Sequence, residues 1–302
     1  MSSASQDTTP VSLTAKKATR RWYYKEVFFQ RDMLDFIIRR LCGCNDSRDG
    51  VLTELSFKVL SPQKNSPYRS FTPVTTFSST VERFHSLESL GNLPCFIKDL
   101  GNLEKLDVGG RSSAGGSVIP ERVLLRECED AAHSRPFICD YDVDRKLRPC
   151  PCSDEKKVCE YCYERCLLPP ARKVREVLEG TYSLVNEKDF FFWFSGGRGW
   201  HLWIMDRFVR LFGAGMRGHL LSVISRDSGV TFSDVDPTIQ MNHLIRMPFS
   251  LHDVSGIPVL PLFSQTVRMA SFRDLARWKD TEKHGEVLAG EITRWIKECK
   301  LK

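Results

Sequence analysis

Two apolar runs joined by a glycine-rich turn constrain the fold of this chain more than any other feature of its sequence. Residues 189–194 read DFFFWF and residues 200–205 read WHLWIM, and both are short runs rich in aromatic residues, as strands are. Between them lies SGGRG, residues 195–199, whose three glycines are typical of a turn. The segment therefore predicts two strands connected by a tight turn.

Helical and strand-like patterns alternate along the rest of the chain. The spacing of apolar residues predicts helices over about 22–41, 170–180, 206–225 and 274–297. It also predicts strands over 54–60 and 68–77, with a loop at 111–117. Such an alternation is typical of an α+β (mixed α/β) fold.

The length and composition fit one large folded unit that follows a polar lead-in. With 302 residues, 41% of them hydrophobic, the chain can bury a sizeable core, which we place in residues 21–302. Residues 1–20 are rich in Ser, Thr and Ala and end in Lys and Arg. This composition predicts a disordered basic tail.

The segment FICDYDVD, residues 137–144, carries acids at alternate positions of a run that otherwise reads as a buried strand. Alternate strand residues share a face, so Asp140, Asp142 and Asp144 point the same way. Two carboxylates about 4 Å apart repel by roughly 4 kcal/mol at an effective dielectric constant near 20. A converging pair therefore shares a proton or binds a metal ion, and metal is the simpler reading.

The acidic segment has two other possible interpretations, a solvated strand end and a calcium-binding EF-hand loop. A solvated strand end would also tolerate the acids, because Asp is a poor strand former. The acids also match positions 1, 3 and 5 of an EF-hand loop, but Arg145 replaces its Gly at position 6 and Pro151 its Glu at position 12. The EF-hand reading is therefore excluded.

A cluster of cysteines follows the acidic segment. Cys150, Cys152, Cys159 and Cys162 lie within 13 residues, and Cys166 is an alternative last ligand one helical turn beyond Cys162. Four thiolates at this spacing suit a closed, structural zinc site worth about 10–16 kcal/mol, and they predict a zinc knuckle over 145–168. The alternative is a group of cysteines without metal, which the clustering disfavours.

The glycine turn and the C-terminal third add groups that suit phosphate. The turn resembles an anion nest, in which backbone N–H groups are open to a phosphate, with Arg198 and His201 close by. Further on, SDVD at 233–236 repeats the acidic pattern, and NHLIRMPFSLH at 242–252 supplies an arginine and two histidines. Together with the acidic strand they are the groups needed to handle a nucleoside triphosphate with divalent metal.

Composition also bears on the compartment. No apolar run approaches the ~20 residues that a bilayer requires, and the N-terminal residues lack the apolar segment of a secretory signal. We therefore expect an intracellular protein, not secreted and without a membrane, and the Lys/Arg lead-in favours a nuclear one. The net charge of +6 is compatible with a polyanionic partner.

Three of these segments, in this order, resemble the small, catalytic subunit of the archaeo-eukaryotic DNA primases. CDYDVD at 139–144, followed by the cysteines, looks like the first motif of that family, an Asp-x-Asp on a strand before a zinc knuckle. SGGRGWHLWIMD at 195–206 looks like its second motif, and DVDPTIQMNHLIRMPFSLH at 234–252 looks like its third. The resemblance implies the primase catalytic fold over 21–302, with the zinc knuckle inserted.

The resemblance assigns a role to each matching residue. It implies that catalytic Mg²⁺ or Mn²⁺ ions, two of them, are held by Asp140, Asp142 and Asp234, where Asp236 is the competing choice for the third acid. It implies nucleotide contacts by Ser195, Arg198, His201, Arg246 and His252. It implies structural zinc on Cys150, Cys152, Cys159 and Cys162, and leaves Asp144 without a catalytic role. Arg69 and Lys98 are weaker candidates for binding the initiating nucleotide.

The implied activity is DNA-templated synthesis of an RNA primer from ribonucleoside triphosphates, with release of pyrophosphate. The implied partners are a single-stranded DNA template, a large primase subunit and a replicative DNA polymerase. The alternatives are a primase-polymerase that uses deoxynucleotides in repair or damage tolerance, and a non-catalytic zinc-bearing nucleic-acid scaffold. The chain departs from many eukaryotic members at Gly197, where they have a second arginine, and in having only 27 residues between Asp206 and Asp234.

Overall fold

The computed structural model describes residues 13–37, 52–62, 77–86, 93–97, 99–112, 135–144, 158–184, 189–206, 208–240, 243–263 and 281–301. The α-helices in these residues are α1 Leu13–Tyr23, α2 Arg31–Asp35, α3 Leu93–Phe96, α4 Glu160–Cys162, α5 Leu168–Gly180, α6 Ala214–Ser228, α7 Asp236–Ile239 and α8 Thr281–Leu301. Two π-helical turns, Tyr24–Phe28 and Tyr163–Leu167, follow α1 and α4 directly. None of the described helices combines the length and the apolar character that a membrane span requires.

The strands form two four-stranded sheets in which all pairs are antiparallel. They are β1 Leu52–Pro62, β2 Phe77–Ser86, β3 Leu103–Ser112, β4 Phe137–Asp142, β5 Phe190–Phe194, β6 Gly199–Ile204, β7 Ile245–Arg246 and β8 Leu260–Pro261. The first sheet has the order β2-β1-β3-β7 and the second has the order β4-β6-β5-β8. Helices therefore accompany two antiparallel sheets, and the predicted mixed α/β class is confirmed.

The predicted pair of aromatic strands is present as β5 and β6, at the centre of the second sheet. Every residue of both strands is buried, so this part of the sheet is covered on both faces. On its other side β6 pairs with β4, and this register places Asp140 opposite His201 and Asp142 opposite Gly199. The turn and the acidic strand thus meet at one end of the sheet.

An aromatic cluster packs behind β5 and joins distant parts of the chain. Trp295 of α8 lies with its ring centroid 5.3 Å from Phe36, 5.6 Å from Phe249 and 5.7 Å from Trp193. All four side chains are at most 3% exposed. Because buried aromatic side chains contribute much of the apolar area of a core, this cluster holds the N-terminal region, the central strand and the C-terminal helix together.

The prediction of a disordered basic tail over 1–20 is wrong for residues 13–20, while residues 1–12 lie outside the described part. Leu13–Tyr23 is an α-helix, and Arg20 is only 6% exposed. The physical reason is that Tyr23 and Tyr24 are completely buried in the core. The preceding turn of the helix, which includes Arg20, therefore packs on the rest of the protein. There the Arg20 Nη2 donates to the Asp253 carbonyl at 3.0 Å.

Other boundaries differ from the predicted ones for local reasons. The helix expected from 206 begins at Ala214, because the Asp206 carboxylate accepts hydrogen bonds from the N–H groups of Phe208 and Val209 and starts a separate turn. The strand β3 was not predicted, and it continues to Ser112 into the expected loop. Apart from Phe77, the strand expected at 68–77 lies outside the described residues.

Candidate functional site

An open cleft of about 430 Å³ lies where β4 and β6 of the second sheet face β7 and the chain that follows it. Eight residues are predicted to hold the catalytic ions or to contact the nucleotide, and seven of them line this cleft. They are Asp140, Asp142, Ser195, Arg198, His201, Arg246 and His252. The cleft therefore gathers side chains from four segments that are far apart in the sequence.

The eighth residue, Asp234, lies beside the acidic strand. It forms an antiparallel bridge with Asp140, while the N–H of Asp142 donates to the Ser233 hydroxyl at 2.9 Å. The Thr238 hydroxyl donates to the Ile138 carbonyl at 2.5 Å. Residues 233–238 are thus held along β4 at three places, and this brings Asp234 rather than Asp236 opposite Asp140.

A buried arginine anchors the other end of β4. Arg217 on α6 is completely buried and donates to the carbonyls of Arg135 at 2.6 Å, Pro136 at 3.2 Å and Phe212 at 2.7 Å. Burial lowers the pKa of Arg217 to about 10, so it remains protonated at neutral pH. These bonds fix the chain immediately before the acidic strand.

Asp140 is the acid whose surroundings most oppose its charge. Burial, together with the like charges of Asp142 and Asp234, raises its pKa to about 7. Its Oδ1 atom is buried and accepts no hydrogen bond from the residues that the structure describes. A buried, unsatisfied carboxylate next to two further acids is an arrangement that a divalent cation would neutralise.

Asp142 is paired with a cation from the protein itself. Its Oδ2 lies 2.8 Å from the Arg198 Nε, and both side chains remain partly exposed. In the described part of the chain, no group of three or more His, Cys, Asp or Glu side chains is placed to hold a metal ion. Carboxylates are suitable ligands for divalent ions, but in this structure Asp142 forms an ion pair with Arg198.

His201 is a neutral side chain. Burial, reinforced by the positive charges of Arg246 and His252, lowers its pKa to about 3. Its Nε2 lies 3.7 Å from the Asp140 Oδ1, a contact between a carboxyl group and an uncharged imidazole rather than an ion pair. His201 is therefore suited to donate one hydrogen bond into the cleft, not to contribute charge.

The glycine turn is not the open anion nest that its sequence predicts. The Ser195 hydroxyl accepts hydrogen bonds from the N–H groups of Gly197, at 3.3 Å, and Gly199, at 3.2 Å. These two N–H groups are therefore directed at the turn itself, because a serine hydroxyl can substitute for an external acceptor. Contacts to an anion here fall to the side chain of Arg198, which is 47% exposed.

Two glycines of the turn are required by close packing. A Cβ atom on Gly196, whose φ is +78°, would lie 2.4 Å from the Ile257 carbonyl oxygen. A Cβ atom on Gly199 would lie 2.1 Å from the Tyr141 carbonyl oxygen and 2.3 Å from the Asp142 Oδ1. The turn thus touches both the acidic strand and the chain on the opposite wall.

The opposite wall is cationic and internally paired. Arg246 Nη2 lies 3.0 Å from the Asp253 Oδ1, and His252 Nδ1 lies 3.6 Å from the same oxygen. Burial alone would raise the pKa of Asp253, but the charges of Arg246, His252 and Lys105 hold it below its usual value. Asp253 thus fixes Arg246, while the orientation of the neighbouring His252 is set by the Val254 and Ser255 N–H groups that donate to its Nδ1.

Sequence reasoning missed two titratable residues of the cleft, Lys105 and Asp253, and assigned no role to a third, His243. Lys105 lies on the unpredicted strand β3, where it is 2.8 Å from the Asp107 Oδ2. His243 and Asp253 stand beside predicted residues in the sequence, so the 242–252 segment itself was the available signal. No sequence signal pointed to Lys105, because the pairing of β3 with β7 brings it to the cleft.

The zinc prediction is described only in its second half. Cys150 and Cys152, like Arg69 and Lys98, lie outside the described residues. Cys162 is completely buried, and its N–H donates to the Cys159 sulfur at 3.5 Å. Cys159 directly follows Val158, whose N–H donates to the Gly197 carbonyl at 3.3 Å.

Comparison with known proteins adds no relative to this picture. No protein-family model matches the chain, and no curated protein matches it. The likeness to primases therefore rests on the three motifs and on the cleft in which their residues meet.

Proposed function

We propose that the chain is the catalytic subunit of a DNA primase, with the primase catalytic fold, and that the cleft is its nucleotidyl-transfer site. The observation that carries the proposal is an open cleft in which two acids, a glycine turn and the Arg246 side meet, with a third acid, Asp234, bridged to Asp140 beside it. These are the groups that in-line phosphoryl transfer from a nucleoside triphosphate requires.

The acidic side of the cleft would hold the divalent ions. Asp140, Asp142 and Asp234 are the ligands in this proposal, and it is supported by the raised pKa of Asp140, which burial causes first and the charges of Asp142 and Asp234 increase. When bound, Mg²⁺ or Mn²⁺ would activate the 3′-hydroxyl and neutralise charge on the triphosphate. Asp144 is exposed at the end of the segment and has no such role.

The remaining residues would bind the triphosphate. Arg246 and His252 supply preorganised groups on the opposite wall, since Asp253 fixes Arg246 and two backbone N–H groups fix the His252 ring. The neutral His201 donates a hydrogen bond, and Ser195 holds the turn that carries Arg198. Preorganised donors of this kind stabilise charge that develops on the phosphates without a reorganisation cost.

Arg198 would exchange partners when substrate binds. It pairs with Asp142 at 2.8 Å, and its side chain is 47% exposed, so little packing opposes its movement. A surface pair of this kind is worth about 0–1 kcal/mol, much less than a charge-assisted contact to phosphate in a desolvated site. When Arg198 leaves Asp142, the Asp142 carboxylate becomes available to a metal ion and the Arg198 guanidinium becomes available to a phosphate.

The same proposal includes the partners and the zinc. A single-stranded DNA template, ribonucleoside triphosphates, a large primase subunit and a replicative polymerase are the expected partners, in the nucleus. Cys150, Cys152, Cys159 and Cys162 would hold the zinc, with Cys166 as the alternative to Cys162. The hydrogen bond from the Val158 N–H to the Gly197 carbonyl connects the chain next to Cys159 with the glycine turn.

The test is synthesis on a single-stranded DNA template with labelled ribonucleotides and Mn²⁺ or Mg²⁺. We expect short RNA products from the wild-type chain and at least a ~10³-fold loss in the double variant Asp140→Asn/Asp142→Asn, because removal of a charge-stabilising element at a phosphoryl-transfer site costs several kcal/mol. A parallel reaction with deoxynucleotides separates a primase from a primase-polymerase.

Asp144→Asn is the matched control, since it removes a carboxylate from the same segment at an exposed position. It should retain activity within about twofold. Template binding without incorporation, even with a large subunit added, would instead indicate the non-catalytic scaffold. Equal activity of the double variant and the control would contradict the assignment of the acids.

A further inference from the structure

His252 of the opposite wall lies in a short irregular loop, residues 249–257, which follows the strand that carries Arg246. The His252 N–H donates to the Ile257 carbonyl, and the Gly256 N–H donates to the His252 carbonyl, both at 2.9 Å. The His252 Nδ1 accepts from the N–H groups of Val254 and Ser255 at 3.3 and 3.2 Å. The orientation of the imidazole is therefore set by the shape of this loop.

The loop contains one residue, Phe249, in an unfavourable backbone conformation. Phe249 has φ of +64°, in the left-handed region that a non-glycine residue adopts only when its surroundings require it. Its ring is completely buried, 5.3 Å from Trp193 and 5.6 Å from Trp295. Its own N–H donates to the Val259 carbonyl, and the Val259 N–H donates to the Ser250 carbonyl, both at 2.9 Å. A second element, from the N-terminal region, adds contacts to the loop from outside.

That element is the N-terminal helix α1 with the π-helical turn that follows it. The Tyr23 hydroxyl donates to the Phe249 carbonyl at 2.7 Å, and the Tyr24 hydroxyl accepts from the Leu251 N–H at 3.3 Å. The Arg20 Nη2 donates to the Asp253 carbonyl at 3.0 Å. Three side chains within five residues thus contact alternate residues of the loop, 249, 251 and 253.

Arg20 is the charged member of this group. It is 6% exposed, and its Nη1 lies 3.8 Å from the Glu104 Oε1, at the start of β3. The residue whose carbonyl it binds, Asp253, is also the one whose carboxylate pairs with Arg246 and His252. A charge-assisted hydrogen bond in a buried site is strong enough to fix that backbone.

We propose that Arg20 is a positioning residue of the nucleotide site, and that α1 acts as a clamp which fixes His252 and Arg246 on the wall of the cleft. The inference rests on the proposed function for its consequence, which is nucleotide affinity. Arg20 itself does not line the cleft. Its effect is to reduce the ordering that the loop must undergo when a triphosphate binds.

The chain offers a matched control at the next residue. Arg21 is on the same helix, but its side chain is 60% exposed and pairs with Asp99 at 2.9 Å, away from the loop. Arg20→Gln and Arg21→Gln therefore remove the same charge from neighbouring positions. Only the first removes the bond to the loop.

The first measurement is amide hydrogen exchange of the protein without nucleotide. We expect Arg20→Gln to increase the exchange rates in residues 249–257 by at least about tenfold, while those of the β5–β6 pair stay within about twofold. Arg21→Gln should leave both unchanged, and Arg20→Lys should restore part of the protection. Unchanged exchange in the loop of Arg20→Gln would overturn the inference, whatever the chain does with nucleotides.

The second measurement is the binding and use of ATP with Mn²⁺. We expect Arg20→Gln to raise the KM for ATP about tenfold and to change kcat by no more than about twofold, because the lost ordering affects binding rather than the reacting groups. An equal loss in Arg21→Gln would indicate a general charge effect and overturn the inference. If Arg20→Gln exchanges faster in the loop than wild type, but the wild-type chain binds no ATP, the proposed function is refuted and the inference about Arg20 stands.

Discussion

At the scale of single residues, the site is defined by groups whose charge states are opposed by their surroundings. Asp140 is a carboxyl group with a pKa near 7, and His201, its partner across the strands, is an imidazole with a pKa near 3. Burial contributes most to both shifts. At neutral pH the histidine is uncharged, and Asp140 is held close to its titration point.

The shift of Asp140 predicts a gain in stability when its charge is removed. A carboxyl group with a raised pKa contributes most to stability below its ordinary pKa of 3.8, and this contribution is lost as the pH rises through about 7. Without divalent ions, Asp140→Asn should therefore increase the free energy of unfolding at pH 8 by about 2–4 kcal/mol. The gain should be smaller at pH 5. Urea unfolding at both pH values measures it.

Asp144→Asn is again the control, because the exposed Asp144 should change stability by no more than about 0.5 kcal/mol. Adding Mn²⁺ at pH 8 should stabilise the wild-type chain and leave Asp140→Asn unaffected. A variant that is less stable than wild type at pH 8, in the absence of metal, would show that the charge of Asp140 is compensated in a way the structure does not contain.

At the scale of elements, the acidic strand and the glycine turn depend on each other. The acids Asp140 and Asp142 are opposite His201 and Gly199 in the β4–β6 register. Gly199 leaves just enough room for the main chain of β4 and for the Asp142 carboxylate. A side chain at that position would move the acid and the strand that carries it.

Gly199→Ala should therefore destabilise the chain and damage the site together. Its Cβ would lie 2.1 Å from a carbonyl oxygen, and overpacking against backbone costs roughly 3 kcal/mol. Gly290→Ala is the control, since Gly290 is exposed within α8 with no atom within 4 Å of the added Cβ. Alanine there should stabilise the helix by about 0.5–1 kcal/mol. Thermal unfolding of both variants tests this, and equal melting temperatures would contradict it.

The elements around the cleft differ in how far the sequence predicted them. The β5–β6 pair and the acidic strand follow from local patterns, because aromatic runs, glycines and alternating acids act within a few residues. The strand β3 and the loop at 249–257 depend on partners more than 100 residues away. The expected nest failed for a third reason: Ser195 satisfies the N–H groups of its own turn, and composition does not show how a hydroxyl is directed.

At the scale of the whole molecule, one aromatic cluster links both ends of the described chain to the strand that precedes the turn. Trp295 contacts Phe36 from the N-terminal region and Trp193 from β5. The same cluster includes Phe249, which begins the loop of the cationic wall. The core and the wall of the cleft are therefore parts of one packed unit.

Trp295→Ala should consequently destabilise the molecule as a whole. Replacing a buried tryptophan with alanine leaves a large cavity and costs about 3–5 kcal/mol. Val287→Ala, on the same helix but 58% exposed, should change stability by no more than about 0.5 kcal/mol. Urea unfolding followed by circular dichroism compares the two. A small effect of Trp295→Ala would show that α8 is not part of the core unit.

The order of strands in the first sheet has a consequence for the time at which the cleft can form. Its fourth strand, Ile245–Arg246, pairs with Leu103–Ser112, so the cationic wall is added only after more than a hundred further residues have been made. At roughly 5–20 residues per second, a ribosome delivers Arg246 about 5–20 seconds after Asp142. Throughout that interval the acidic strand exists without its opposite wall, and the newly made chain does not yet have the cleft.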